Sequence, residues 1–166
     1  MPSGPHVTTY LNQPYTIHIS PSSNPNLPAV GFSSPTQEPG DNALDIRIRC
    51  NALVMLNLDT SNCDWEFVHT NGIDLGVTTS SYPGNRYFNL TSQISANGRC
   101  VSVSFEAKWL TPPTANFANK DPYNLYFVIY TIPDSGGVPY STPLELTIDP
   151  DIQNPGNDGL IVGIKQ

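Results

Sequence analysis

Cationic side chains are scarce in this sequence: four Arg and three Lys stand against 14 Asp and Glu, for a net charge of −7. That shortage argues against nucleic acid as a partner, because phosphate binding needs clustered cations. It argues equally against an anionic membrane surface. No apolar run approaches the length that spans a bilayer. Met1-Pro2-Ser3-Gly4-Pro5 shows no basic segment followed by an apolar one, so no signal peptide is expected and the expected compartment is the cytoplasm. Cysteine is sparse too. Cys50, Cys63 and Cys100 are odd in number, form no CxxC pair and each lie in a strand-like run. They read as buried thiols, with one disulfide plus a free thiol as the alternative for an exported chain. The sequon Asn89-Leu90-Thr91 carries meaning only in that exported case.

Helical patterning is missing as well. Nowhere do apolar residues recur at helical spacing over a dozen positions. In its place stand 17 Pro, 12 Gly and many Ser, Thr and Asn, a mix suited to short strands joined by turns. Tyr15–Ser20 alternates, and Leu44–Cys50 does so strictly, with Leu44, Ile46, Ile48 and Cys50 inward and Asp45, Arg47 and Arg49 toward water. Leu53–Leu58 is apolar on both faces and suits a central strand. Cys63, Trp65 and Phe67 alternate with Asp64 and Glu66, and Val101, Val103, Phe105 and Ala107 alternate with Cys100, Ser102, Ser104 and Glu106. Tyr123–Ile132 has the strongest pattern and is predicted to be central. Residues 21–42 are too Pro-rich for a central strand and read as a surface loop or an edge segment, and Asn71-Gly72, Pro83-Gly84, Asn97-Gly98 and Gly136-Gly137 mark turns. These signals predict about nine strands at roughly 8–12-residue spacing: an all-β, antiparallel, Ig-like β-sandwich with little or no helix. With no internal repeat or linker, residues 1–166 are expected to form a single domain with a tail over 150–166.

Familiar catalytic signatures are absent: no nucleophile elbow, phosphate loop, Rossmann fingerprint or HExxH. His6, His18 and His69 are isolated and read as surface or packing residues, and a Cys63–His69 nucleophile pair has only weak spacing support. Local chemistry concentrates in Leu144–Gly156, where an alternating strand runs into Asp149-Pro150. An Asp-Pro bond is intrinsically labile. Its proline nitrogen is a better leaving group once protonated, and the aspartyl carboxyl sits close to its own carbonyl carbon. Desolvation of that carboxyl or strain in the peptide would turn lability into self-cleavage. The same segment allows a second reading. Asp149, Asp151, Asn154, Asn157 and Asp158 supply oxygen ligands of the kind calcium takes, with Tyr82, Tyr87 and Tyr140 available to stack on sugars. In a third reading, Leu160–Ile164 adds as a strand to another copy and the chain is a self-assembling structural subunit.

The C-terminal part resembles the DP-EP family of small bacterial β-sandwich proteins. The resemblance rests on Tyr123–Ile129, the glycine turn and Thr147-Ile148-Asp149-Pro150-Asp151-Ile152-Gln153-Asn154, with Asn97-Gly98-Arg99 and Trp65-Glu66-Phe67 also fitting, over residues 44–156. It implies a chain that cuts itself at Asp149-Pro150, an aspartyl endopeptidase acting in cis. Asp149 would be the reacting carboxyl, with Asp151 or Glu145 assisting. It also implies capture of the released aspartyl group by a lysine. No lysine lies in Tyr123–Ile132, the nearest being Lys108 and Lys120. No cofactor is called for on this reading, calcium belonging to the sugar-binding alternative. The expected partner is the chain itself, as a homo-oligomer or a retained C-terminal strand.

Overall fold

The structure, a computed structural model, describes residues 10–32, 43–48, 50–68, 87–107 and 120–153. Strands dominate these residues, and no helix occurs among them. Consequently no helix among them is long and apolar enough to cross a membrane. Among the described residues eleven strands are present: β1 (Leu11–Ser20), β2 (Ala29–Phe32), β3 (Ile46–Arg47), β4 (Ala52–Leu58), β5 (Trp65–Phe67), β6 (Tyr87–Ile94), β7 (Cys100–Ala107), β8 (Lys120–Pro122), β9 (Leu125–Thr131), β10 (Pro139–Ile148) and β11 (Asp151–Gln153). The all-β expectation therefore holds in its broad form. The architecture differs in that the strands form three sheets, ordered β2-β1-β4-β7-β6, β10-β9-β5 and β3-β11-β8. Pairing is also not antiparallel throughout, since β1 runs parallel to β4 and β11 parallel to β3.

Period-two patterning builds the first sheet. In β1 the residues Gln13, Tyr15, Ile17 and Ile19 are buried, while those between them are half-buried. Pro14 lacks an N–H, yet it sits in this inner strand. It is tolerated because β2 pairs only with Ile17–Ser20 and does not reach that half of β1. In β4, Ala52, Val54, Leu56 and Leu58 point inward, and the strand lies between β1 and β7 as its two apolar faces predict. On the opposite face Ser102 Oγ donates to Asn57 Oδ1 at 2.7 Å across the β4–β7 ladder.

One buried cluster draws on all three sheets, including Tyr15, Ile46, Leu56, Trp65, Phe105, Phe127 and Ile152. Each such side chain contributes about 1.5–3 kcal/mol by leaving water. Trp65 and Phe67 pack against Phe127 with ring centroids 5.2 and 5.3 Å apart. The Trp65 indole N–H donates to the Asp59 carbonyl at 2.8 Å, so its one polar atom is satisfied.

Several sequence expectations fail locally, each for a physical reason. Asp45 is buried, not solvated: its Oδ1 accepts the Asp151 N–H at 2.8 Å, which places a carboxylate inside the third sheet. Leu44 before it has φ 64°, so the backbone turns there and the strand is confined to Ile46–Arg47. In β7, Cys100 is buried and Val101 only half-buried, because the β6–β7 register shifts between Gln93 and Ile94 and resets the alternation. Glu66, expected on the wet face, is buried like its neighbours Trp65 and Phe67. The Pro-rich stretch contains β2 at the edge of the first sheet, where its proline content allows a strand. The expected features at His6–Thr9, residues 33–42, His69, Asn71-Gly72, Ile73–Val77, Ser80–Asn85, Lys108 and Asn154–Gln166 lie outside the described residues.

Candidate functional site

β5 and β9 run antiparallel, with Trp65 opposite Ile129 and Phe67 opposite Phe127 on the core face. The ladder extends one step further, where the Tyr130 N–H donates to the Asp64 carbonyl at 2.8 Å. Alternation then places Asp64, Glu66 and Tyr130 together on the other face, at the cross-strand diagonal spacing that long side chains bridge. Thr131 Oγ1 accepts the Asp64 N–H at 2.7 Å and fixes where that carboxylate begins.

A hairpin tip brings the counter-charge. Between β6 and β7 the Gly98 N–H donates to the Ser95 carbonyl at 2.9 Å and the Ser95 N–H to the Arg99 carbonyl at 2.7 Å. Gly98 has φ 82°, which suits glycine and not a residue carrying a Cβ. Arg99 leaves this turn toward β5. Its Nε donates to Asp64 Oδ1 at 3.0 Å and its Nη2 to Asp64 Oδ2 at 2.8 Å, a two-pronged pair. The guanidinium sits over Tyr130, with Cζ 3.6 Å from the ring centroid. Its Nη1 is 3.8 Å from Glu66 Oε1. Glu66 itself accepts the Tyr130 O–H at 2.5 Å on one oxygen and the Cys100 N–H at 3.0 Å on the other.

Electrostatics follow from this packing. The hydrogen bonds to Asp64 hold the Arg99 guanidinium above its already high value. Burial, then the hydrogen bond to Glu66, raises the Tyr130 hydroxyl, so it stays a donor at neutral pH. Cys63 is pushed up to about 12 by burial first, then by Asp64, Asp134 and Asp59. Such a thiol is the opposite of an activated nucleophile. All three cysteines are free.

Two clefts open beside this network. One of about 490 Å³ is lined by Cys63, Asp64, Ser95, Asn97 and Arg99. The other, about 470 Å³, is lined by Ser61, Asn62, Asp64, Asp134 and Gly136. Thr60, Cys63 and Asp64 belong to both, so the clefts share a wall.

The residues singled out for self-cleavage lie elsewhere. Glu145 is exposed on β10 and Asp149 is exposed at its end. Pro150 is buried, and its carbonyl accepts the Tyr123 N–H at 3.0 Å where the chain passes from the second sheet to the third. Asp151 begins β11 and is half-buried. Among the described residues no group of three or more His, Cys, Asp or Glu side chains could hold a metal ion, and of the calcium set only Asp149 and Asp151 are described. The Asp64–Glu66–Arg99–Tyr130 group was not singled out from sequence. Its one local signal is the Asp64-Trp65-Glu66 spacing, which puts two carboxylates on one strand face.

A family model described as "Predicted novel nucleotide synthetase" (pNTSase1) matches residues 2–157. The chain belongs to this family. No curated protein matches it. Membership in pNTSase1 corrects the resemblance to DP-EP proteins, which rested on a short Asp-Pro-x-Ile-x-Asn run and on strand patterns that many β proteins share. The readings built on that run and its tail are corrected with it: the self-cleaving chain, the calcium-assisted carbohydrate module and the self-assembling subunit. The structure supplies a physical reason for the first of these. Asp149 is exposed, whereas self-cleavage was argued from a desolvated carboxyl. In the pNTSase1 chain, Asp149-Pro150 serves as the crossover between two sheets.

Proposed function

We propose that the chain binds a nucleotide in the cleft walled by Asp64 and Arg99 and uses it to make a nucleotide product, the activity its family description names. The observation that carries this reading is the fixed guanidinium. Arg99 is held by both Asp64 oxygens and laid on Tyr130 at the wall of a cleft of about 490 Å³, a size that suits a small-molecule ligand. The neighbouring cleft supports a second reactant, because a ligand in each would meet at the shared wall of Thr60, Cys63 and Asp64. A buried cluster fed by all three sheets among the described residues supports our reading of residues 1–166 as one sandwich-like domain. Three free thiols support a reducing, cytoplasmic setting.

Incubation with each of the common ribonucleoside triphosphates, singly and in pairs with magnesium, tests the proposal by mass spectrometry of the small molecules. A new nucleotide with released phosphate or pyrophosphate is expected, and Asp64→Ala abolishes it. No product, together with no shift in melting temperature with any triphosphate, overturns the reading.

A further inference from the structure

We infer that the cleft takes the base of the nucleotide, stacked flat on the outward face of the Arg99 guanidinium, and not its phosphates. This inference rests on the nucleotide reading and specifies which part of the ligand the Asp64–Arg99 cleft recognises.

A guanidinium can be used in two ways. Its edge carries five N–H donors, which suit the oxygens of a phosphate, and its two faces stack on planar rings. Arg99 has turned the Nε–Nη2 side of its edge, the side that would grip two phosphate oxygens at once, toward Asp64. Nε and Nη2 donate to the two oxygens of Asp64, and Nη1 is turned toward Glu66 at 3.8 Å. One face is covered by Tyr130 at 3.6 Å. The side chain remains 28 % exposed and lines the cleft, so the face away from Tyr130 is the surface we assign to a second ring. A base placed there would complete a ring–cation–ring stack with Tyr130 at the bottom.

Charge around the cleft points the same way. Asp64 forms one wall, while Asp59 and Asp134 lie near enough to act on the thiol of Cys63, which lines both clefts. Bare phosphate oxygens meet repulsion there, and an uncharged ring does not. Asn97 supplies an edge contact. Its Oδ1 accepts from Ser95 Oγ and, at 3.3 Å, from the Arg99 N–H, and we assign its amide NH2, at the lining of the cleft, as the donor for acceptors on a base edge.

Competition binding on the unmodified protein tests this without relying on any variant to fold. A fluorescent nucleotide is displaced by the matching nucleoside, the nucleoside triphosphate and inorganic triphosphate, at low and high salt. The nucleoside is expected to compete within about tenfold of the nucleotide, with little loss at high salt, and inorganic triphosphate is expected not to compete. Arg99→Lys keeps the charge but loses the plane, and should weaken the nucleoside about tenfold. Competition by inorganic triphosphate without competition by the nucleoside overturns the base assignment and leaves the nucleotide reading standing. Failure of every fluorescent nucleotide to bind overturns both.

Discussion

Glu66 is 6 % exposed, and a carboxylate so placed is unfavourable unless its oxygens are used. Both are, by the Tyr130 hydroxyl and the Cys100 N–H. Glu66→Ala leaves those donors without acceptors and should lower stability by about 2–3 kcal/mol in urea unfolding. A double-mutant cycle with Tyr130→Phe should show coupling, and strict additivity would mean that the two side chains act separately. The Asp64–Arg99 pair is more exposed, at 41 and 28 %, so Asp64→Asn should cost only about 1 kcal/mol while disturbing the cleft far more than the fold. Cys63 allows a chemical check. With its thiol pushed up to about 12, it should resist alkylation at about pH 8 in the native state and react fully after denaturation, as read by intact mass. Rapid native labelling at Cys63 would contradict that environment.

At the scale of elements, the site depends on a three-residue strand and a hairpin tip. β5 owes its position to its core face, where Trp65 and Phe67 pack on Phe127, and Phe127→Ala should cost about 3–5 kcal/mol by opening a cavity between β5 and β9. Gly98 has φ 82°, and a methyl group added to it would meet nothing within 4 Å, so strain alone governs a substitution there. Gly98→Ala should cost about 1 kcal/mol and weaken ligand binding further, because the turn aims Arg99. Asp149 offers the contrast. Exposed at a sheet crossover, its change to Ala should alter stability by less than about 0.5 kcal/mol. β1 was legible from alternation because one face of it meets the core, and β4 and β9 from apolar residues on both faces, as suits strands flanked on both edges. The half-buried Val101 beside a buried Cys100 was not, since a register shift in the β6–β7 pairing lies outside the pattern of either strand. Asp45 was misread for a related reason: its partner is a backbone N–H on β11, distant in sequence.

For the molecule as a whole, the raised thiol and phenol groups set the alkaline limit of stability. Below about pH 9 Cys63 is protonated in both native and unfolded states, and its contribution is fully present. Between that value and about 12 the unfolded chain releases a proton that the native chain keeps, so stability must fall as pH rises. Tyr123, raised well above its usual value mainly by burial, adds to the same fall at higher pH. Asp59 acts at the other end. Hydrogen bonding to Ser61 lowers it, so its contribution is present above the ordinary carboxylate range and is lost as pH falls through its native value. Urea midpoints across the pH range should therefore trace a plateau with both limbs declining, and Cys63→Ala should flatten the alkaline one. An alkaline limb unchanged by that variant would place the effect on other groups.

By itself, the sequence determined that this chain is built of strands, which faces of the longer ones are apolar, and where tight turns fall. Those properties are local: a two-residue period and a glycine at positive φ act through neighbours in the chain. Only the tertiary structure decided the candidate site. Asp64 and Glu66 precede Arg99 by 35 and 33 residues, and Tyr130 follows it by 31, so no spacing rule connects them. Strand pairing between β5 and β9, and a hairpin leaning over both, bring them within hydrogen-bonding distance, and that register is set by packing against the shared core.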